Sequence, residues 1–461
     1  MTITPPFHFY DNMMTFLLHF YDECAMMPSV FIIDKEFFIM KHIQNYIAGL
    51  AVVAFGLPVL AGGYQLNDYS VTGLGRSYAG QGIMGDDYSA IAFNPAGMAA
   101  VKRSGIQTGL TMINIKADVD SLDSRHPGAH KKMNFWAPIP QVFGQYNVND
   151  RLSLGLGVYA PFGLKTQYKA DWYGADTAIL SKLDIIDINL AASYKVTPQW
   201  TVGAGVIARY IYGHMTNSVP TMIGGAPLGG GTSDFELDGW TKTGLFGVMY
   251  EPTENTRFGL SYRLRSTQQV KGDHKVKDNH YTPLNGTYTG RASPALPETI
   301  TFSAYHRYKK VGFSGTARWT HWSQSFPEFV MKSDSPLLRA LPAPSTPGEK
   351  RSLYNYGNTW TLTAGLDYYY NENWTFRCGT GWDESPTHSN DTRTIRIPDN
   401  DRFWLSAGAS YMQKNWQVDV GYGHMFGRTG KALETSDPSA TKVKYKNLQS
   451  YLFGLQVQYK F

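Results

Sequence analysis

The chain has 461 residues, of which 43% are hydrophobic, 14% aromatic and 17% charged, with a formal net charge of +5. That charge is spread along the chain and not gathered into a stripe, which sets nucleic acid aside as a partner. Two cysteines, Cys24 and Cys378, leave no disulfide framework and no cysteine metal site, whereas 46 glycines, 30 tyrosines and 11 tryptophans suit strands, tight turns and a wetted or membrane-facing sheet.

Residues 40–61, MKHIQNYIAGLAVVAFGLPVLA, open on Lys41 and His42, continue through an apolar run and end in small residues. This is the three-part layout of a secretory signal peptide, with cleavage expected after Ala61. The apolar run is short against the ~20 residues of a spanning helix. Residues 1–39 are then an upstream extension, expected not to belong to the mature protein. Residues 62–103 come next, small, polar and Gly-rich, with neither helical nor strand period.

Beyond residue 103 alternation takes over. At the end of the chain Tyr451, Phe453, Leu455, Val457, Tyr459 and Phe461 face one way, and Gly454, Gln456, Gln458 and Lys460 the other. The same pattern recurs over 104–119, 138–148, 152–160, 184–196, 200–212, 240–251, 256–270, 296–308, 311–323, 359–370, 374–383, 403–412, 416–426 and 448–461, which predicts about fourteen strands. Connections alternate between short turns, such as Lys309-Lys310, and long polar loops, such as 213–239. An even set of amphipathic strands with two classes of connection predicts an all-β fold, a transmembrane antiparallel β-barrel over residues 104–461. Closure leaves no unpaired edge in lipid.

Fourteen strands at about 4.8 Å spacing and roughly 40° tilt close into a ring about 28 Å across. Residues 62–103 therefore read as an N-terminal plug, or hatch, inside the lumen, with a periplasmic tail as the alternative. Within them lie Asp86, Asp87 and the turn Asn94-Pro95-Ala96, which pairs a side chain able to bond its own backbone with a residue of fixed φ. Ala160-Pro161-Phe162-Gly163 interrupts a strand pattern. Proline cannot donate to a ladder and glycine tolerates a bulge, so the stretch is either a break in the wall or an ordinary strand end.

Several stretches resemble one family. Gly63-Tyr-Gln-Leu-Asn67, the Gly73 to Gly80 run GLGRSYAG, Asp86-Asp87 and Asn94-Pro-Ala-Gly-Met98 look like the opening of the long-chain fatty acid outer-membrane transporters, the FadL family, which also holds aromatic hydrocarbon transporters. Tyr159-Ala-Pro-Phe-Gly-Leu164, Leu296-Pro297-Glu298, NWTFRCGTGWDESP from Asn373 and IPDNDRFWLSAG from Ile397 extend the likeness along 62–461. The resemblance implies a hatch in a fourteen-stranded barrel and a third strand kinked at Ala160, Pro161, Phe162 and Gly163 as a lateral port. It implies passive uptake of a long-chain fatty acid, captured by outer loops, passed to a lumen pocket and released sideways into lipid. A carboxylate head wants a cation there, and Arg209 and Lys332 are the candidates, the latter beside apolar Phe326, Phe329, Val330 and Met331.

Aromatic or other small hydrophobic compounds are the alternative cargo; a general porin and an outer-membrane phospholipase are weaker readings. His306, His321 and His424 have no recognisable nucleophile motif and no His-Glu-x-x-His occurs, so no catalytic residue, metal or cofactor is expected. Expected partners are a hydrophobic ligand, outer-membrane lipid and the barrel assembly machinery, which would read Phe461. The expected state is a monomer in the bacterial outer membrane.

Overall fold

The computed structural model describes residues 63–219, 222–223, 226–227, 230–340, 346–437 and 439–461, all within one unit, Gly56–Phe461. The signal peptide and upstream extension expected at 1–61 lie outside the described residues.

Fourteen staves form one antiparallel sheet. Six are continuous: β1 Gly105–Ser121, β2 His130–Asn147, β3 Leu152–Gln167, β4 Leu180–Lys195, β5 Trp200–Ser218 and β6 Thr232–Thr253. Four are broken in two: β7 (Thr256–Arg263, Val270–Lys277), β8 (Gly286–Ala292, Thr299–Tyr308), β9 (Val311–Thr320, Glu328–Ser333) and β10 (Glu349–Leu353, Thr359–Tyr369). β11 Trp374–Asp383, β12 Arg402–Gln413, β13 Trp416–Gly427 and β14 Val443–Lys460 complete the set. β14 pairs back onto β1, from Gly105 opposite Lys460 to Ser121 opposite Val443, so the sheet closes.

The barrel is apolar outside and polar within. Leu154, Leu156, Val206, Phe246, Leu260, Phe302, Leu405 and Leu455 are exposed on its outer face, while Gln107, Gln141, Asn189, Ser303, Thr316, Gln456 and Gln458 are buried on its inner one. Lipid imposes this inversion, since only the outer face meets hydrocarbon. Exposed aromatics mark the two ends of the lipid band: Tyr308, Tyr370, Trp374, Trp416 and Phe461 near the short turns, Trp136, Trp360, Phe403 and Phe426 near the long connections.

Past the outer aromatics the strands run further than alternation predicts. β2 starts at His130, β3 continues to Gln167, and the connections expected over 161–183, 271–295 and 324–358 contain paired strand. The outward face there meets water, so its residues need not be apolar and the period-2 signal disappears although the ladder continues. Lys332 accordingly lies in a strand, Glu328–Ser333, and not in a loop.

Residues 63–101 fill the lumen. Helix α1, Val71–Leu74, is capped by the Ser70 side chain, which accepts from the Gly73 amide; α2, Ala90–Phe93, follows, and then a 3₁₀ turn, Pro95–Ala100. Asn94 caps that last turn, its side chain accepting from the Ala96 amide at 3.1 Å while its Nδ2 donates to the Val248 carbonyl at 3.3 Å. The wall admits this turn because Gly203 and Gly247 face it: a Cβ there would stand 2.3 Å from Ala96 N and 1.9 Å from Asn94 Oδ1. The absence of two side chains on β5 and β6 thus sets where the Asn94-Pro95-Ala96 turn sits.

Candidate ligand cavity and wall gap

Above the hatch lies an apolar cavity with roughly 710 Å³ of empty space, its open mouth included. Leu164 of β3, Ile211 and Met215 of β5, Phe235 and Leu237 of β6, and Phe326, Phe329 and Met331 at the outer segment of β9 line it. Its floor includes Tyr64 of the hatch, whose ring lies 4.9 Å from Trp322 and 5.4 Å from Phe326. The apolar lining suits a hydrophobic ligand.

Phe326 and Phe329 therefore stand in the cavity, but neither of the two cations selected from the sequence lines it. Arg209 is 1% exposed and committed to Asp187, with Nε–Oδ1 at 2.6 Å and Nη2–Oδ2 at 2.8 Å. Its Nη1 donates to Ser266 at 2.7 Å and the guanidinium lies 5.5 Å from the Phe162 ring. Arg263 approaches the same Asp187 at 2.9 Å, so one carboxylate holds two cations in the wall. Lys332 is largely exposed and pairs with Glu349 at 2.6 Å.

The cavity presents two other cations. Lys182 is paired with Asp184 at 2.7 Å. Arg396 is buried and donates to Ser181 Oγ at 3.0 Å and to the Thr177 carbonyl at 2.5 Å. Among the described residues no carboxylate lies within ion-pair distance of it. Burial pulls its pKa down, and Tyr354, Glu434 and Asp437 offset this only in part. Arg396 immediately precedes the Ile397-Pro-Asp-Asn-Asp-Arg402 motif, the one sequence signal that could have pointed to it.

In the hatch, Asp86 accepts from Arg76 at 2.7 and 2.8 Å and from Arg377 at 3.2 Å. Burial raises its pKa, but these two guanidiniums outweigh burial and hold it below the usual carboxylate range. Asp367 of β10 accepts from Arg76 at 2.7 Å on the wall side. Asp87 next door takes the hydroxyls of Ser70 and Ser89 at 2.5 and 2.6 Å; burial and the charge of Asp86 raise its pKa.

The ladder between β2 and β3 is incomplete. β1 and β2 pair along their whole length, from Gly105 opposite Gln145 to Asp120 opposite His130. β2 and β3 pair only from Asn147 opposite Ser153 to Val142 opposite Val158. Immediately beyond, β3 carries a bulge: its register against β4 shifts between Tyr159 and Phe162, so Ala160 and Pro161 have no partners in that ladder. The strand does not end there. The hatch occupies the inner side of the bulge, Leu66 N donating to the Pro161 carbonyl and Gly163 N to the Tyr64 carbonyl, both at 2.9 Å, with Gln65 bridged to Phe162. Gly63, one residue before Tyr64, donates to Asp399 at 3.0 Å, in the loop that carries Arg396. Residues 63–66 thus touch the cavity, the Arg396 loop and the wall gap together.

A closed antiparallel barrel with a filled lumen, an apolar cavity and a break in its wall defines a membrane transporter of hydrophobic compounds. A family model described as outer membrane protein transport protein (OMPP1/FadL/TodX) matches residues 52–461, and the chain belongs to that family. A long-chain fatty acid transport protein of Escherichia coli O157:H7 is 28% identical over 454 residues, covering 89% of this chain and 97% of that protein. Among solved structures, a Pseudomonas aeruginosa FadL homologue shares the fold with a TM-score of 0.75 at 24% identity, over 87% of this chain and 100% of its own. The Ralstonia pickettii toluene transporter TbuX gives 0.59 at 20% identity, over 85% and 100%. The protein is an outer-membrane transporter of hydrophobic compounds.

Proposed function

We propose that the cargo is a long-chain fatty acid, taken up without an energy source and released sideways through the gap between β2 and β3. The observation that carries this reading is Arg396, a buried guanidinium at the wall of an apolar cavity with no carboxylate partner among the described residues. An amphiphile with one carboxylate and a long tail satisfies both features at once. A sixteen-carbon tail gains about 12 kcal/mol on leaving water, at roughly 0.8 kcal/mol per methylene. Release into aqueous periplasm would forfeit that gain, whereas release into lipid keeps it. In this scheme the head engages Arg396, and residues 63–66 move away from Pro161 and Gly163 to open the way outward.

A second reading, a small aromatic hydrocarbon, is favoured by the rings of Tyr64, Phe235, Phe326, Phe329 and Tyr354 around the cavity. Trp322, packed on Tyr64, is a reporter for both. Binding of palmitate and of toluene to the detergent-solubilised protein, followed by tryptophan fluorescence, separates them. Arg396→Gln is expected to weaken palmitate binding about tenfold or more, the loss of one charge-assisted contact. Toluene preferred by the wild type and unmoved by Arg396→Gln would replace the first reading with the second.

A further inference from the structure

The outward face of β14, β1 and β2 carries a cluster of lysines beyond the outer aromatic ring. At the outer aromatic ring Trp136, Asn114 and Tyr451 form one cross-strand row. The next rows outward are Asn134–Lys116–Gln449, then Lys132–Asp118–Lys446, then His130–Asp120–Lys444, with Lys431 of the short strand Gly430–Ala432 directly across from Lys444. Five lysines face two aspartates, and both aspartates are already engaged. Asp118 accepts from Asn447 at 2.7 Å, and Asp120 pairs with Lys446 at 2.5 Å and His130 at 2.7 Å. Lys116, Lys132, Lys431 and Lys444 have no carboxylate within ion-pair distance among the described residues. Lys431 opposite Lys444 is a like-charge cross-strand pair, which destabilises a sheet unless an anion sits between them.

We propose that this face binds the phosphates of a phosphorylated glycolipid headgroup in the outer leaflet. The location fits lipid, because aromatic rings of this kind mark the headgroup level. The rows stand about 7, 14 and 20 Å beyond the ring along the strands. A single glycerol phosphate headgroup cannot reach so far; a saccharide bearing several phosphate monoesters can. The face also flanks the open edge of β2, so a lipid held here stands beside the wall gap. The site is independent of which hydrophobic compound the cavity takes.

The test is native mass spectrometry of the detergent-solubilised full chain titrated with a lipopolysaccharide whose core saccharide carries phosphate monoesters, with the same glycolipid dephosphorylated and with inorganic phosphate. The phosphorylated glycolipid is expected to bind one-to-one and to lose about fivefold in affinity per lysine removed, hence about 25-fold for Lys431→Gln/Lys444→Gln and for Lys116→Gln/Lys132→Gln. Lys195→Gln, at the opposite end of the barrel, should bind as the wild type does. Equal binding of the dephosphorylated lipid, indifference to both double variants, or displacement by millimolar inorganic phosphate would each overturn the proposal. Heat-modifiable gel mobility reports folding; where a double variant does not fold, the single Lys431→Gln carries the expected fivefold loss.

Discussion

Glu434 lies in the segment before β14, 5% exposed, with a left-handed φ of 40° and its Oε2 without a hydrogen-bond partner among the described residues. Burial raises its pKa to about 7, against the opposing pull of Arg396 and Lys350. Its folded pKa is thus above its unfolded one, so the stability it lends the loop is complete below about 4.5 and is lost as pH rises through about 7. Ionised, it competes with a ligand carboxylate for Arg396; protonated, it leaves Arg396 to the ligand. Palmitate affinity is therefore expected to fall severalfold between pH 6 and pH 8, and Glu434→Gln to flatten that slope. A slope preserved in Glu434→Gln would assign the titration to another group. Arg396 and Glu434 escaped the sequence reading because both sit in aperiodic loops. Arg209 attracted it for the converse reason: a cation in a strand looks free until the register places Asp187 directly opposite, 22 residues earlier in the chain.

The bulge in β3 is only half written in the residues that form it. Pro161 and Gly163 mark a break in sequence, because one removes a donor and the other relaxes the backbone. What the sequence does not show is that residues 64–66 complete the bulge from inside, since a single bridge and two hydrogen bonds leave no period. Nor does it show that the β2–β3 ladder stops at Val142 and Val158. The lipid-facing stretches were legible throughout, as hydrocarbon demands alternation at every second residue; their wet extensions were not. Pro161→Val with Gly163→Val restores a backbone donor and stiffens the strand, which favours extension of the β2 ladder past Val158. Uptake of labelled palmitate by cells is expected to drop at least tenfold, while affinity in detergent changes less than about twofold. Normal uptake in that variant would remove the wall gap from the transport path.

At the scale of the whole molecule, barrel and hatch are held by different forces. The barrel rests on a closed ladder of backbone hydrogen bonds that lipid cannot replace. The hatch rests on buried charge: Arg76 joins Asp86 of the hatch to Asp367 of the wall, and Arg377 of β11 reaches Asp86 from outside. Removing one member of such a buried cluster leaves guanidinium charge uncompensated, at a cost of about 3–5 kcal/mol. Asp367 also holds Arg377 of the wall at 2.8 Å, but these are side-chain contacts in the lumen that leave the backbone ladder untouched, so hatch and barrel should come apart in experiment. Asp367→Asn is expected to keep the heat-modifiable migration of a folded barrel and to show intermittent ion conductance in planar bilayers, where the wild type stays closed. Deletion of residues 62–103 should give steady conductance at least tenfold above the wild type and so fix the fully open level, since a ring about 28 Å across is wide enough for water and ions. Asp367→Asn events that reach a fraction of that level would show the hatch leaving its charged seat while the wall stays intact; a silent deletion variant would mean that residues 63–101 are not what closes the lumen.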